Sequence, residues 1–175
     1  MQKIWTFLFD TGRNLDLYFK KRKKEKDWQN WLKIFKSTNT MDFNLSEKLK
    51  IRLYKDSILS KCIYQGFEQI EIEFICKYLK QGDVFFDIGS NMGLFSLYAS
   101  ELVGNMGKIY AFEPTKGIYK RLIENIELNG IKNIVPVNKG ISDKNGTLAL
   151  NISDNGHDAW NSFAKISDEY YKSTE

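Results

Sequence analysis

The sequence predicts an α/β domain built on a parallel sheet. Three apolar segments rich in strand-forming residues, at 84–88, 108–112 and 133–141, alternate with two segments of helical periodicity, at 94–103 and 116–129. Strands that alternate with helices in this way are typical of parallel sheets with right-handed crossovers. The length of 175 residues suits one such domain together with an extension.

The first strand segment leads directly into a glycine turn and then into a helix. Residues 84–88 are apolar apart from Asp87, and we expect this strand to be buried on both faces. Gly89 and Gly93 bracket the turn before the apolar segment Leu94 to Val103. Ligands of α/β proteins lie outside the carboxyl ends of parallel strands, so this turn is the first candidate binding site.

The side chains of the turn favour a cationic ligand over a phosphate. Asn91 stands where the dinucleotide fingerprint has its second glycine, and Asp87 would repel a phosphate at short range. S-adenosylmethionine carries an ammonium and a sulfonium and has no phosphate. Asp87 would face the ammonium, Gly89 would expose bare backbone, and the helix after Gly93 would receive the carboxylate at its N-terminus. The alternatives are a nicotinamide or flavin Rossmann domain and a turn without a ligand.

A second carboxylate ends the second strand segment. Glu113 follows the glycine turn by about 25 residues, near the spacing of an acid that binds a ribose. A carboxylate accepts hydrogen bonds from both ribose hydroxyls, so Glu113 suits an adenosine ligand and NAD equally. Asp143 follows the third strand and could accept from an adenine amino group. Its alternative role is structural, because Ser-Asp-Lys-Asn-Gly is good turn chemistry by itself.

The flanking segments are predicted from shorter patterns. Residues 50–64 predict two short strands around 55–57, and residues 68–80 predict a helix. Asn-Gly at 145–146 predicts a hairpin, with residues 147–152 returning as an antiparallel strand. The buried stripe expected for the helix at 68–80 consists of Ile72, Ile75, Cys76 and Leu79.

The N-terminal extension is basic and aromatic. Residues 1–36 hold ten Lys or Arg and four Asp or Glu, whereas the remainder holds sixteen and eighteen. The extension therefore predicts either peripheral contact with an anionic membrane or packing on the domain or on a partner chain. The nearly neutral remainder argues against a nucleic-acid partner. Residues 37–44 are polar and predict a linker. The apolar face of the extension's helix comprises Trp28, Trp31, Leu32 and Phe35.

Composition predicts a globular protein, and the cysteine usage predicts a reducing, cytoplasmic compartment. Its 42% apolar content supports a core, and no apolar run approaches the length of a membrane span. Cys62 and Cys76 show no metal or disulfide spacing, so we expect ordinary buried cysteines and no metal site. His157, the one histidine, is either a base or part of an exposed loop, and the catalytic residue stays unknown.

Four segments together carry a resemblance to a known family: GDVFFDIGSNMG at 82–93, IYAFEP at 109–114, IELNGIKNI at 126–134 and GISDKNGTLAL at 140–150. They resemble the FkbM-type methyltransferases, class I enzymes that use S-adenosylmethionine and often O-methylate sugars or polyketide-like small molecules. The resemblance implies that cofactor and a small-molecule acceptor such as a saccharide. By resemblance, Glu113 would hold the ribose, and Ser142 with Asp143 would border the adenine. The methionine end would be shaped by Asp87, Gly89, Asn91 and Gly93.

The resemblance runs from about residue 50 to about residue 163, and it implies a Rossmann-like methyltransferase sheet of seven strands. The sequence predicts only the N-terminal half of that sheet, because no acidic fourth parallel strand follows Ile152. We therefore expect a truncated homologue, either a methyltransferase or a non-catalytic remnant or interaction module. Its unpaired sheet edge favours a homo-oligomer. The expected parts are a helical extension at 1–45, a partial domain at 46–165 and a tail at 166–175.

Overall fold

A computed structural model describes residues 24–153 and 171–174. His157, the start of the extension and the start of the predicted tail lie outside these residues. The chain forms two compact units, Met1–Asn39 and Thr40–Glu175. None of the described helices combines the length and hydropathy needed to cross a membrane. In the described ranges, no group of three acidic, His or Cys side chains could hold a metal ion.

The described part of the first unit is a helix, α1, across residues 24–34. Trp31 and Phe35 are buried and meet edge to face, with ring centroids 4.7 Å apart. Trp28 and Leu32 are half-buried, so the predicted apolar helical face is confirmed. The Thr38 hydroxyl donates to the Phe35 carbonyl at 2.8 Å, beyond the end of the helix.

The second unit begins with an antiparallel hairpin, β1 (Thr40–Asn44) and β2 (Lys50–Tyr54). The prediction of a linker across 37–44 was therefore wrong for its second half. The prediction of a second strand before residue 64 was also wrong, because Ile58–Tyr64 forms a helix, α2. Ser57 caps this helix by accepting from the Ser60 N–H at 2.9 Å, a local bond that favours a helix start.

The predicted helix at 68–80 is confirmed as α3, Gln69–Tyr78. Only part of its predicted stripe is buried: Ile72 and Ile75 are, whereas Cys76 is exposed. Cys62 is half-buried, so the prediction of two buried cysteines was wrong. The wider apolar surface of α3 faces solvent instead.

The central sheet is parallel, with strand order β3-β4-β5. Its strands are β3 (Val84–Ile88), β4 (Lys108–Phe112) and β5 (Ile134–Val137). The crossovers are α4 (Leu94–Val103) and α5 (Lys116–Leu128). This alternation confirms the predicted α/β, Rossmann-like class. Pro136 sits in the edge strand β5, where a missing N–H is tolerated.

The prediction that β3 is buried on both faces was wrong. Val84, Phe86 and Ile88 are all more than half exposed. Successive strand side chains point to opposite faces, and α4 packs on one face of β3 and β4. An apolar run predicts a strand, but not how many of its faces are covered.

The predicted hairpin return after Asn145-Gly146 was also wrong. Residues 141–149 are exposed and belong to no strand. Instead β6 (Asn151–Ser153) pairs antiparallel with β7 (Tyr171–Thr174) in a separate sheet. The strand β7 thus occupies part of the predicted tail. The strand β6 therefore pairs with the distant strand β7, and not with the residues just before the Asn-Gly turn as the sequence predicted.

Candidate cofactor site

The glycine turn is anchored to the carboxyl end of β4. In the register of the parallel pair, Ile88 lies beside Phe112. The backbone N–H groups of Gly89 and Ser90 both donate to the Phe112 carbonyl oxygen at 2.9 Å. The turn and the residue after Phe112 therefore meet at one edge of the sheet, where ligands of α/β proteins bind.

Glu113 is that residue, and its carboxylate contacts the turn directly. One oxygen accepts from the Asn91 backbone N–H at 3.1 Å, and the other accepts from the Thr115 N–H at 2.8 Å. The side chain is 95% buried, since only 5% of its surface is exposed. Asn138 fixes the strand end by donating to the Glu113 carbonyl at 2.8 Å. A carboxylate has about four lone-pair sites, so these two bonds do not use the full acceptor capacity of Glu113.

Asp87 lies beneath the start of α4. Its carboxylate is 6% exposed and accepts from the Ser96 hydroxyl at 2.6 Å. Burial raises the pKa of the Asp87 carboxyl, and the hydrogen bonds from Ser96 oppose that rise. The predicted contact between Asp87 and a ligand ammonium stays a prediction, but one carboxylate oxygen is already engaged inside the domain.

The turn depends on left-handed backbone at three of its residues. The φ angles are 79° at Gly89, 48° at Asn91 and 95° at Gly93. Asn91 tolerates this conformation better than most residues, and its side-chain oxygen accepts from the Met92 N–H at 2.8 Å. A Cβ on Gly93 would lie 2.7 Å from Leu122 Cδ1, so α5 packs closely against this glycine.

Two features of the turn match an elongated ligand lying on it. A Cβ built on Gly89 would meet no atom within 4 Å, so the space beside this backbone is open. In the described part of the chain, the Ser90 hydroxyl is the buried side-chain oxygen that has no hydrogen-bond partner. Buried polar groups are almost always paired, so an orphaned hydroxyl in this turn is a feature that a bound ligand or an ordered water would explain.

Sequence reasoning missed Asn125, which supports the turn from α5. Its amide nitrogen donates to the Met92 carbonyl at 2.9 Å, and its amide oxygen accepts from the Arg52 N–H at 2.6 Å. Asn129, one helical turn later, bonds both backbone groups of Lys50 at 2.8 Å. The signal was available, because Asn125 interrupts the apolar face that Leu122 and Ile126 define on α5.

The remaining predicted residues lie farther along the chain. Ser142 and Asp143 are exposed in the segment after β5, and the Ser142 hydroxyl donates to the Asp143 carboxylate at 3.2 Å. The structure therefore brings together Asn91 and Glu113 by a direct bond, with Gly89 beside them. It gives Ser142 and Asp143 a bond to each other. Their predicted role at an adenine stays a prediction.

Comparison with known proteins gives two curated relatives. The chain is 33% identical over 99 residues to Methyltransferase sdnD of Sordaria araneosa, a match that covers 50% of this chain and 38% of the relative. It is 28% identical over 86 residues to Hexuronic acid methyltransferase AglP of Haloferax volcanii, covering 49% of this chain and 34% of the relative. The matches thus span little more than a third of each relative's length. No family model matches the chain.

Among solved structures, the M. jannaschii TYW2 in complex with AdoMet superposes with a TM-score of 0.46. That match has 19% identity and covers 58% of this chain and 43% of the other. The parallel sheet described above establishes the fold class on its own. The sequence relatives add the chemistry: the curated proteins that this chain resembles are methyltransferases.

Proposed function

We propose that the turn at 89–93 binds S-adenosylmethionine and that the chain acts in methyl transfer. The observation that carries this proposal is the direct bond between the Glu113 carboxylate and the Asn91 N–H. This bond places a buried acid beside open glycine backbone at the carboxyl edge of a parallel sheet. The two methyltransferase relatives support the same chemistry.

The charges at the site support a cationic cofactor without phosphates. Two buried carboxylates, those of Asp87 and Glu113, end neighbouring strands. A pyrophosphate brought to the turn would be repelled by Asp87, whereas an ammonium or sulfonium would be attracted. The open space beside Gly89 and the orphaned Ser90 hydroxyl fit a ligand laid along the turn. This combination argues against the nicotinamide alternative.

Each residue then has a definite task. Glu113 accepts hydrogen bonds from the ribose hydroxyls. The N-terminus of the ten-residue helix α4, which begins after Gly93, stabilises the methionine carboxylate. Asp87 holds the start of α4 through Ser96 and contributes negative potential for the ammonium. Ser142 and Asp143 border the adenine.

The bound sulfonium supplies a methyl group that is already activated for transfer. What this chain contributes is position: it holds the cofactor by its ribose and by its amino-acid end. Holding two reactants in an attack geometry provides much of the catalysis in such a reaction. No side chain is assigned as the base.

For the acceptor, we propose a hydroxyl of a sugar or a similar small molecule. The supporting observation is the relative named as a hexuronic acid methyltransferase. A hydroxyl needs a partner to take its proton, and a uronic acid carries its own carboxylate close to its hydroxyl groups. The acceptor can therefore be distinguished by comparing uronic acids with neutral sugars of the same size.

Binding is tested by isothermal titration of the full chain with S-adenosylmethionine, S-adenosylhomocysteine and NAD. We expect binding of the first two and none of NAD. Glu113→Ala should weaken S-adenosylmethionine binding at least tenfold, whereas Glu101→Ala, on the exposed face of α4, should not. Tight NAD binding, or equal S-adenosylmethionine binding by both variants, would contradict the proposed site.

Turnover is tested separately, with a deuterated methyl cofactor and mass spectrometry of candidate uronic acids and neutral sugars. A mass shift located on a hydroxyl of the sugar would support the proposed acceptor, whereas a shift located on the carboxylate of a uronic acid would contradict it. Cofactor binding without any transfer would instead identify a non-catalytic binding module, the second alternative that the sequence leaves open.

The cellular location of the domain and its contact with a membrane also remain proposals. The basic extension at 1–36 would contact an anionic membrane surface while the domain stays in the cytoplasm. Flotation of the full chain with liposomes that contain phosphatidylserine, compared with neutral liposomes, tests this contact. Recovery of the protein with neither kind of liposome would remove it. The expectation that no nucleic acid binds stays a prediction.

A further inference from the structure

The helix α3 begins beside the glycine turn of the candidate cofactor site. It packs on α4, and the second residues of the two helices, Ile70 and Phe95, line one groove together with Phe85 of β3. Farther along, burial raises the pKa of the Tyr98 phenol on α4, and the nearby Cys76 of α3 raises it further. The two helices therefore run in the same direction, and their first residues lie at the same end.

Glu68 immediately precedes α3, as Gly93 immediately precedes α4. Its side chain is half-buried. Burial raises the pKa of the Glu68 carboxyl, and the negative charges of Glu71 and Asp87 raise it further. Because such an effect weakens with distance, the carboxylates of Glu68 and Asp87 lie near each other. An acid from the start of α3 and the acid of β3 thus share one side of the turn.

The backbone of Glu68 adopts a conformation that suits other residue types better. Its φ and ψ angles are 61° and 33°, in the left-handed region. Glycine and asparagine enter this region at a lower cost than glutamate does. The Glu68 side chain also makes no capping hydrogen bond to α3. Neither the backbone conformation nor the cap of α3 therefore explains a glutamate at this position.

A cation beside Glu68 and Asp87 would relieve their repulsion. Two carboxylates disfavour each other's ionised form, and a positive charge close to both stabilises it. Separate features of the same turn point to a ligand: within the described residues the buried Ser90 hydroxyl has no partner, and the space beside Gly89 is open. The ammonium of an amino acid would supply both a positive charge and three N–H donors.

We infer that Glu68 binds the ammonium at the amino-acid end of the cofactor and so selects ligands that carry a free amine. The inference rests on the proposed binding of S-adenosylmethionine at the turn. Asp87 already accepts from the Ser96 hydroxyl at 2.6 Å, so it contributes negative potential while Glu68 makes the direct contact. Glu68 then recognises the amino acid and Glu113 the ribose, and ligands that differ only in the amino acid separate the two roles.

The test is isothermal titration of the full chain with S-adenosylhomocysteine and with 5′-methylthioadenosine. Both ligands are thioethers of adenosine, but only the first carries the amino-acid end. Glu68→Gln keeps the side-chain length and removes the charge, so it should weaken S-adenosylhomocysteine binding about tenfold and leave 5′-methylthioadenosine binding unchanged. Glu73→Gln, exposed on α3, is the matched control and should change neither affinity. Glu113→Ala should weaken the binding of both ligands.

A second variant, Glu68→Asn, separates binding from folding. Asparagine adopts the left-handed conformation more readily than glutamate, and the substitution removes a charge that Glu71 and Asp87 oppose. The thermal midpoint should therefore stay the same or rise, while the affinity for S-adenosylhomocysteine falls. A purely structural role of Glu68 does not predict this combination.

The inference is overturned if Glu68→Gln leaves S-adenosylhomocysteine binding unchanged, or if it weakens the binding of both ligands equally. When Glu113→Ala still weakens both, either result removes the role of Glu68 and leaves the proposed cofactor site intact. An unmodified chain that binds neither S-adenosylmethionine nor S-adenosylhomocysteine would instead contradict the proposed function together with this inference.

Discussion

The Glu113 carboxylate and the Asn91 backbone N–H are joined by a hydrogen bond of 3.1 Å. This bond ties the end of β4 to the turn that follows β3, although 22 residues separate the two in sequence. It also aligns a left-handed residue, Asn91 with φ 48°, with a buried acid. The same carboxylate is the group that we assign to a cofactor ribose, so one side chain both holds the turn in place and binds the proposed ligand.

Replacing Glu113 with Gln should damage both functions. A glutamine amide has one oxygen, so it cannot accept from Asn91 and Thr115 at once, and its NH₂ would face a donor. We expect a loss of about 1–3 kcal/mol in the free energy of unfolding and weaker S-adenosylmethionine binding. Urea denaturation and isothermal titration measure these changes. Glu101→Gln is the exposed control, and equal effects of the two substitutions would refute the assigned role.

The Asp87 carboxyl should make stability depend on pH. Burial raises its folded-state pKa above the ordinary value of 3.8, so the folded protein holds this proton more tightly than the unfolded chain does. Its contribution to the free energy of unfolding is therefore largest below pH 3.8 and falls as pH rises through the raised folded pKa.

Asp87→Asn should remove this loss. Unfolding curves between about pH 4 and pH 7 are expected to show the variant gaining stability relative to the unmodified protein as pH rises. Ser96→Ala is the companion variant, since it removes a hydrogen bond that favours the charged form and should steepen the loss. A difference between Asp87→Asn and the unmodified protein that does not change with pH would show that Asp87 is not responsible.

Two glycine substitutions should have opposite effects. Gly93→Ala places a Cβ 2.7 Å from Leu122 Cδ1 at a residue with φ 95°, and we expect a cost of about 1–3 kcal/mol. Gly117→Ala lies inside α5 with no atom within 4 Å, so it should stabilise the protein by about 0.5–1 kcal/mol. Thermal unfolding of both variants measures these two changes in stability. A stabilised Gly93→Ala would show that the turn can change its backbone.

The two asparagines of α5 should differ in importance. Asn125→Ala leaves the buried Met92 carbonyl and the Arg52 N–H without partners, and should cost about 2–4 kcal/mol. Asn129→Ala removes bonds to the exposed Lys50 backbone, where water can replace them, and should cost about 1 kcal/mol. Denaturation midpoints compare the pair. Equal losses would mean that burial does not decide their contribution.

Local sequence patterns predicted the secondary structure well where one pattern clearly outweighed the alternatives. The helix α4 ends and begins where its apolar segment and flanking glycines predicted, and β4 matches its predicted limits. The prediction of a strand at 58–64 failed because the loose alternation of apolar residues there fits a strand and a helix equally. The Ser57 cap, with its bond to Ser60, decided in favour of the helix. A serine at position 57 is a sequence signal for a helix N-terminus, but only the structure shows its bond to Ser60.

By itself, the sequence determined the alternation of the three parallel strands with two helices, the glycine turn and the two acids that end neighbouring strands. These follow from periodicity and from residue types that act over a few positions. Only the tertiary structure decided that Asp87 is turned inward to Ser96 and that Asn125 supports the turn. It also showed that, among the described residues, one face of β3 is exposed. Burial and hydrogen-bond partners depend on contacts between segments that are distant in sequence, and a local sequence pattern does not specify those contacts.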